Sequence, residues 1–288
     1  MCRSIANSDT MTHKYSKAKR KVGLTISDRE LIAKLARASH GGILNVPKAA
    51  EVAGVPCRKA ALKLGALARR GWLLRARRGL YFVLPIEAEP GKGTVPEDPW
   101  VLAREAFSPC YIGGWSAAEH WGLTEQLFRS TLVLTAAYVR ARTERLVGSE
   151  FRLFRVPPSA IDGAALVWRG RERVPVSDRE RTIVDCLRHP ELCGGARHLA
   201  DVMRRYGESA ERDFRKLANT ARESANGAAW KRLGYLAELL WPKEEELLNE
   251  ARKHLTTGNV KLDPKVPRRG TLLRRWRLWV NAGVSKET

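Results

Sequence analysis

Near the start of the chain, apolar residues recur at the three- and four-residue spacing that is typical of amphipathic helices. A first helix is predicted over residues 27–39, and we expect Ser27 and Glu30 to form a capping box at its start. Its buried side is expected to carry Leu31, Ile32, Leu35 and Ala36. Residues 43–45 are predicted to form a short strand or an extended link. This first helix would then support the elements that follow.

Two further helices follow, with a tight turn between them. Pro47 suits the first turn of a short helix, where a missing N–H costs nothing, and Gly54 can take the left-handed conformation that ends it. Pro56 then opens a longer helix that Gly71 closes. At about 100° per residue, this longer helix has an apolar arc and a basic arc. The apolar arc consists of Ala60, Ala61, Leu64, Leu67 and Ala68.

A basic hairpin is predicted directly after the longer helix. Residues 72–74 are expected to form a strand, residues 75–79 a turn, and residues 80–83 the return strand. Gly79 supplies the conformational freedom that the turn needs. The order of helix, turn, helix and hairpin predicts a winged helix-turn-helix. In that fold, the second helix of the motif enters the major groove of DNA.

The predicted DNA contacts are cations on the outward arc of the longer helix and in the hairpin. No Asp or Glu lies between Val52 and Ile86, so these cations have no acidic neighbours in the sequence. A helix with outward Arg and Lys can reach base edges and phosphates together, and Leu62 and Ala66 on the same arc are placed to touch a thymine methyl group. Solvated surface charge is the alternative interpretation. The predicted contacts are Lys48, Arg58, Lys59, Lys63, Arg69, Arg70, Arg75, Arg77 and Arg78.

The remainder of the chain predicts a second, larger domain. Residues 1–23 are expected to form an unstructured basic arm, residues 24–85 the winged helix-turn-helix, and the Pro- and Gly-rich residues 86–99 a linker. Residues 100–288 are expected to form an α/β domain with a small sheet and a mostly helical C-terminal part. The predicted fold class is therefore mixed α+β. Strands are predicted at residues 111–112, 131–139, 150–156, 166–168 and 173–176.

Two more capping boxes are predicted in this larger domain. Ser116 with Glu119 would open a helix through residue 121, and Ser177 with Glu180 would open another. We expect Asp178 and Asp185, like Ser177 and Glu180, only to cap and solvate that second helix. Further helices are predicted at residues 100–107, 198–206, 210–222, 229–240 and 243–255.

The charge balance indicates a polyanionic partner. Of the 288 residues, 52 are Lys or Arg and 31 are Asp or Glu, which gives a net charge of +21. Residues 1–90 contain 18 of the cations and only 6 of the acids, so the smaller domain carries more of the surplus. No apolar run approaches the roughly 20 residues of a membrane-spanning helix, and no secretory signal is present. The expected location is the cytoplasm, with DNA rather than a membrane as the partner.

Two further basic segments are auxiliary candidates for DNA contact. The N-terminal arm can follow the DNA backbone or the minor groove, although a tail without a role explains it equally well. The C-terminal tail places several arginines among Leu and Trp residues. The auxiliary candidates are Lys19, Arg20, Lys21, Arg268, Arg269, Arg274 and Arg275.

The cysteines do not predict a disulfide framework or a metal centre. There are five, at positions 2, 57, 110, 186 and 193, without a CxxC pair, which favours free thiols in a reducing compartment. Cys186, Cys193, His189 and His198 lie close together in the sequence, but their spacing matches no standard zinc-ligand pattern. No metal and no cofactor are expected.

Catalysis is the rival interpretation, because basic α/β domains that hold DNA sometimes cut it. A nuclease needs carboxylates that share Mg²⁺, usually with a nearby Lys. The closest pattern is Glu150-Phe151-Arg152, which lacks the Lys, and Asp178 and Asp185 lie among arginines. No P-loop, GxSxG or HExxH motif is present. We therefore expect no catalytic residues. A module that binds an acidic protein without reading DNA sequence is the third interpretation.

The order of features resembles the AbiEi family, the antitoxin and transcriptional-regulator components of bacterial AbiE-type (type IV) toxin–antitoxin systems. The most specific segments are YIGGWSAAEHWGL at residues 111–123 and VPVSDRERTIVDCLRHPELCGG at residues 174–195. The resemblance covers about residues 25–280. It implies a cytoplasmic repressor that binds operator repeats upstream of its own operon, with a C-terminal domain that can assist DNA binding. It also implies that the protein counters a nucleotidyltransferase-type toxin, directly or indirectly, and it leaves the oligomeric state open.

Overall fold

The computed structural model describes residues 25–84, 98–267 and 269–284. The predicted basic arm at residues 1–23, nearly all of the predicted linker at residues 86–99, and Arg268 lie outside the described residues. The chain divides into an N-terminal and a C-terminal unit, with the boundary between Asp98 and Pro99. Leu146–Gly148 is grouped with the N-terminal unit.

Three helices and a three-stranded antiparallel sheet form the described part of the N-terminal unit from residue 25 to residue 84. The sheet order is β1-β3-β2, so both outer strands pair with the return strand of the hairpin. Leu35, Leu64 and Leu67 form the centre of the core, and each is at most 2% exposed. This is the element order of a winged helix-turn-helix. The elements are α1 (Ile26–Ala38), β1 (Ile43–Asn45), α2 (Val46–Ala53), α3 (Cys57–Arg69), β2 (Leu73–Arg77) and β3 (Leu80–Val83).

The first predicted capping box is wrong. Thr25 rather than Ser27 caps α1, and its hydroxyl oxygen accepts a hydrogen bond from the backbone N–H of Asp28 at 3.1 Å. Threonine and serine are both good N-cap residues, so the local pattern does not distinguish the two starting points. Ser27 consequently lies inside the first turn of the helix.

The predicted turn of the hairpin is too long. Strand β2 continues to Arg77, so only Arg78 and Gly79 connect it to β3. Gly79 has a positive φ of 84°, which a glycine adopts without strain. The carbonyl of Gly79 accepts a hydrogen bond from the backbone N–H of Val46 at 3.1 Å. The tip of the hairpin is thereby fixed to the start of α2.

A six-stranded mixed sheet is the centre of the first half of the C-terminal unit, with strand order β6-β7-β5-β4-β9-β8. Strands β5 and β7 are parallel, as are β4 and β9, whereas β4 pairs with β5 and β8 with β9 in antiparallel fashion. Helix α6 and the helices after it form the helical second half. The elements of the sheet half are α4 (Pro99–Phe107), β4 (Cys110–Ile112), α5 (Gly114–His120), β5 (Ser130–Thr135), β6 (Thr143–Leu146), β7 (Ser149–Arg155), β8 (Ala165–Arg169) and β9 (Glu172–Val176).

The last three described strands of the C-terminal unit form a second, smaller sheet, which was not expected from the sequence. Its order is β10-β12-β11, with β10 parallel and β11 antiparallel to β12. Trp276 between its strands is 1% exposed, and its ring lies against Gly234 of α9. The elements are α6 (Arg179–Arg188), α7 (Ala196–Glu208), α8 (Phe214–Glu223), α9 (Gly227–Leu240), α10 (Glu245–Lys253), β10 (Val260–Lys261), β11 (Thr271–Leu273) and β12 (Leu278–Val280).

The two later capping boxes are also wrong. Ser116 lies within α5, and its hydroxyl accepts a hydrogen bond from the N–H of Leu132 at 2.9 Å instead of capping a helix. Asp178 caps α6 by accepting from the N–H of Arg181 at 2.8 Å. Ser116 and Ser177 both suit the start of a helix, but in the structure each lies inside the packed domain and caps no helix.

The class of the fold is mixed α+β, as predicted. In chain order, one small sheet precedes the larger mixed sheet and one follows it, and five of the seven described α-helices of the C-terminal unit come after β9. Among the described residues, none of the helices has both the length and the apolar character that crossing a membrane requires.

Candidate nucleic-acid interface

The outward face of α3 is the strongest candidate for contact with nucleic acid. Its inward side chains belong to the core that α1 and α2 share, and the most buried of them, Leu67, is 1% exposed. The opposite face carries the exposed cations Arg58, Lys59 and Arg69. Lys63 is also exposed, but it lies at the side of the helix next to α1, where its charge helps to lower the pKa of Asp28. None of these four forms an ion pair with a carboxylate within the described part of the chain. The prediction that Lys63 lies opposite the core is therefore wrong, because it falls at the border of the apolar arc.

Leu62 lies at the centre of this cationic face. Its side chain is 68% exposed, whereas Leu64 and Leu67 of the same helix are buried. Positions 58, 62, 66 and 69 follow the spacing of one helix stripe, so Leu62 is flanked by Arg58 and Arg69. An exposed apolar side chain between cations suits contact with a thymine methyl group, while the cations meet phosphates or guanine.

The turn before α3 holds the helix in a defined direction. Asn45 caps α2 by accepting a hydrogen bond from the N–H of Lys48 at 2.9 Å. Gly54 then adopts the left-handed conformation with φ 62°, and the N–H of Val55 bonds the carbonyl of Ala50 at 3.1 Å. These bonds satisfy backbone groups that would otherwise be unpaired at the end of α2. The angle between α2 and α3 is thereby set by backbone hydrogen bonds.

The hairpin adds two exposed arginines beside α3. Arg75 and Arg78 are exposed, and neither forms an ion pair with a described carboxylate, whereas Arg77 is half-buried. Because the turn is bonded to α2, the hairpin tip is short and rigid rather than a long wing. Its arginines are suited to phosphate contacts next to the groove.

Two of the predicted contacts have acidic partners of their own. Arg70 donates to Asp28 of α1 at 2.8 Å, and this hydrogen bond lowers the pKa of the Asp28 carboxyl below its ordinary value. Lys48 pairs with Glu51 one turn along α2 at 2.9 Å. The Arg70 side chain is only 28% exposed and Asp28 14%, so this pair links α3 to α1. The Lys48 pair is on the surface, where such pairs contribute little.

The auxiliary candidates that the structure describes are surface arginines of the C-terminal unit. Arg269, Arg274 and Arg275 are exposed. Arg275 is engaged by Glu238, with a distance of 2.9 Å from Nε to Oε2. Lys19, Arg20, Lys21 and Arg268 lie outside the described residues.

The carboxylates considered for a nuclease site do not come together. Glu150 pairs with Arg145 at 2.7 Å, Asp178 with Lys216 at 2.8 Å, and Asp185 accepts from the hydroxyl of Tyr111 at 2.8 Å. Among the described residues, no group of three or more His, Cys, Asp or Glu side chains is arranged to hold a metal ion.

Cys186, Cys193 and His198 belong to the packed interior. Both thiols are 0% exposed. The two ring nitrogens of His198 are engaged by the carbonyl of Cys193 at 2.6 Å and by the hydroxyl of Thr124 at 2.7 Å. These bonds orient the imidazole within the fold.

The two segments that resemble the AbiEi family pack against each other in the C-terminal unit. The hydroxyl of Tyr111 reaches Asp185, and the indole N–H of Trp121 donates to the carbonyl of Ser177 at 2.7 Å. The expectation that Glu180 and Asp185 are solvated is wrong, since they are 3% and 6% exposed. Burial raises the pKa of Asp185. These residues are structural supports rather than surface groups.

Glu180 is a buried acid with two partners from later helices. It accepts from the hydroxyl of Tyr206 at 2.9 Å and pairs with Lys216 at 2.7 Å. Sequence reasoning missed this network, as it missed the pairing of Asp28 with Arg70. In each case the partner is distant in the chain, so no local pattern signals the contact.

Comparison with known proteins extends the description of the fold. No protein-family model matches the sequence, and no curated protein matches it. The crystal structure of the RV2827C protein from Mycobacterium tuberculosis is similar to this chain, with a TM-score of 0.59 and 18% sequence identity. The match covers 92% of this chain and 94% of that chain. A likeness at this identity concerns the fold alone.

Proposed function

We propose that the protein is a transcriptional repressor that binds double-stranded DNA through α3 and the β2–β3 hairpin. The observation that carries this proposal is a set of six exposed cations on α3 and the adjoining hairpin that form no ion pair with a described carboxylate. The cations are Arg58, Lys59, Lys63, Arg69, Arg75 and Arg78.

The dimensions of α3 suit the major groove. An α-helix with its side chains is about 10–12 Å in diameter, which fits the major groove of B-DNA at about 12 Å wide, and the 13 residues of α3 extend roughly 20 Å. The start of α3, with Arg58 and Lys59, would lie deepest, and Leu62 would follow one turn later. Arg75 and Arg78 would hold the phosphates beside the groove and so fix the orientation of the helix.

We also propose, on the resemblance to the AbiEi family, that the repressed promoter is the protein's own operon. The second product of that operon would be a nucleotidyltransferase-type toxin that this protein counteracts in the cytoplasm. The sequence segments at residues 111–123 and 174–195 support this part of the proposal. Direct contact with the toxin and indirect neutralisation both fit it.

The test of the DNA-binding proposal is fluorescence anisotropy with the DNA immediately upstream of the coding sequence. A scrambled duplex of the same length and composition is the control. If about six phosphates are neutralised, log affinity should fall against log salt with a slope of about −5. The upstream duplex should bind at least ten times more tightly than the scrambled one. Equal affinity for the two duplexes would contradict a repressor with a specific operator.

The same preparation tests for catalysis. We expect labelled DNA or RNA to remain intact after incubation with Mg²⁺ or Mn²⁺, because the acids that a nuclease would need are paired separately. Turnover that is abolished by Asp185→Ala would contradict this expectation. Co-expression with a nucleotidyltransferase-like reading frame from the same operon tests the antitoxin role, since growth should be restored only when this protein is present.

A further inference from the structure

Strand β8, at one edge of the six-stranded sheet, has an apolar surface that nothing in the described chain covers. Leu166 and Trp168 are 56% and 65% exposed and point to the same face of the strand. Edge strands are usually protected by charged side chains. The opposite edge of this sheet, β6, follows that rule with Glu144 and Arg145. On β8 the charged residue is Arg169 at the end of the strand, and its guanidinium lies over the Trp100 ring, so the middle of this edge has no charged side chain.

The backbone of β8 is also open at this edge. Leu166 is paired with Pro175 and Trp168 with Arg173 across the hairpin. Pro175 has no N–H, and the carbonyl of Arg173 accepts a hydrogen bond from the guanidinium of Arg104 at 2.5 Å. These two pairs are therefore the non-hydrogen-bonded ones, in which the N–H and C=O groups point away from the partner strand. Those of Leu166 and Trp168 face the open edge.

The surroundings of the edge are basic. Arg171 at the hairpin turn and Arg173 on β9 are exposed, and neither forms an ion pair with a described carboxylate. The Arg173 guanidinium lies 5.4 Å from the centre of the Trp168 ring. A groove of about 510 Å³ runs along this surface. It is lined by Arg104, Leu166, Trp168, Arg171, Glu172, Arg173 and Pro175.

We propose that β8 is a docking edge for an extended, acidic polypeptide segment of a partner protein. The segment would add a seventh strand through the backbone groups of Leu166 and Trp168, which is the recognition mode of β-strand addition. Leu166, Trp168 and Arg173 share one face of the sheet, because Trp168 and Arg173 are directly paired. On that face, apolar side chains of the segment would cover Leu166 and Trp168, and a carboxylate two residues along would meet the charge of Arg171 and Arg173. This inference does not depend on DNA binding by α3.

Charge complementarity favours this occupant over a second copy of the chain. Two copies joined at β8 would combine two basic edges, each with its own Arg171 and Arg173, in one continuous sheet, in a protein that already has a net charge of +21. Neither copy would supply an acidic side chain of β8 to offset this charge. An acidic strand would instead neutralise both cations. Single-stranded nucleic acid could stack on Trp168, but it would leave the open backbone groups unused.

The test uses the full-length protein and a fluorescent nine-residue peptide with Val and Glu in turn at its odd-numbered positions and Thr at its even-numbered positions, so that Val and Glu share one face of the strand. Two control peptides isolate the two parts of the recognition. One has Lys in place of Glu, and the other is N-methylated on the backbone amides of both edges, so that its charge is unchanged while neither edge can pair with β8. We expect saturable binding of the acidic peptide alone. Amide hydrogen exchange followed by NMR should show added protection at Leu166 and Trp168.

Two protein variants locate the site. The charge reversal R171E/R173E should weaken peptide binding about tenfold or more, whereas R140E/R142E, a matched reversal of exposed arginines in the same unit, should change it less than threefold. Leu166→Pro removes the backbone N–H of residue 166, which faces the open edge, and leaves the hydrogen bonds between β8 and β9 in place. It should weaken peptide binding more than Leu166→Ala does. The thermal unfolding temperature of each variant verifies that the fold is retained.

Several outcomes would overturn the inference. If the N-methylated and the unmethylated peptide bind equally well, strand addition is excluded. If R171E/R173E and R140E/R142E weaken peptide binding equally, binding depends only on the net charge of the protein. Tighter binding of an oligo-dT strand that Trp168→Ala abolishes would assign the edge to nucleic acid. A dimer in sedimentation that Trp168→Ala dissociates would assign it to a second copy of the chain.

Discussion

Arg69 and Arg70 are neighbours at the end of α3, yet the structure predicts different consequences when each is replaced by Ala: one for DNA binding and one for stability. Arg69 is exposed on the cationic face, and no described carboxylate forms an ion pair with it. Arg70 is 28% exposed and donates to Asp28 at 2.8 Å. Arg69→Ala should therefore weaken DNA binding, and Arg70→Ala should weaken the fold.

The size of the effect on DNA binding follows from counterion release. Loss of one phosphate contact reduces the magnitude of the salt slope by about 0.9, which corresponds to about fivefold in affinity near 0.15 M salt. Arg70→Ala should leave the slope unchanged. Its cost is the ion pair with Asp28, about 1 kcal/mol at the upper end of the range for surface pairs, because both side chains are partly buried.

The stability effect should also depend on pH in one direction. Arg70 lowers the pKa of Asp28 in the folded protein, below its ordinary value of 3.8. The ion pair therefore contributes stability at pH values above 3.8 and loses it as the pH falls through the lowered pKa. Urea unfolding of wild type and Arg70→Ala should differ at pH 7, and the difference should shrink as the pH falls below 3.8, with Arg69→Ala as the control at each pH.

Anisotropy titrations at several salt concentrations complete the assay. The reasoning is refuted if Arg70→Ala changes the salt slope as much as Arg69→Ala does while unfolding at the same urea concentration as wild type. That result would mean that Arg70 contacts DNA in solution and that the bond to Asp28 is not maintained.

Two further predictions concern packing and accessibility. Gly234→Ala should destabilise the protein by about 1–3 kcal/mol or more, because the added Cβ would lie 2.1 Å from the Trp276 ring. Gly65→Ala is the matched control, with its nearest neighbour at 3.7 Å, and it should be neutral or stabilise by up to about 1 kcal/mol in urea unfolding; equal effects would contradict the packing. Bound DNA should protect Cys57, exposed at the start of α3, from iodoacetamide in a mass-spectrometric assay, and undiminished labelling would place the DNA elsewhere. Cys110 should not react at pH 8 with or without DNA, because burial raises the pKa of its thiol to about 12.

The elements of the N-terminal unit could be predicted because their signals are local. Gly54 and Pro56 mark a turn wherever they occur between two amphipathic segments, and the spacing of Leu64 and Leu67 identifies the buried side of α3. The same reasoning predicted the wrong start for α1, because two nearby residues both satisfy the rule for an N-cap. Thr25 and Ser27 can both cap a helix, and only the packing of α1 decides between them.

The parts that could not be predicted depend on contacts between distant residues. The sheet β10-β12-β11 is made of strands of two or three residues, which are too short for a recognisable alternation. Strand β6 has only four residues and contains the charged Glu144 and Arg145, so it lacks the apolar alternation by which a strand is recognised. The roles of Asp28 and Glu180 arise from partners more than 20 residues away in the sequence, at Arg70 and Lys216.

The most direct test of the central claim is a triple substitution on α3. Arg58, Lys59 and Lys63 are changed to Ala together, and Arg129, Arg140 and Arg142, which are exposed arginines of the C-terminal unit, are changed in a control with the same loss of charge. Anisotropy with the upstream duplex and its scrambled counterpart measures specificity as a ratio of affinities. We predict that this ratio falls at least tenfold in the α3 variant and is unchanged in the control. An α3 variant that distinguishes the two duplexes as well as wild type would contradict the assignment of α3 as the recognition helix.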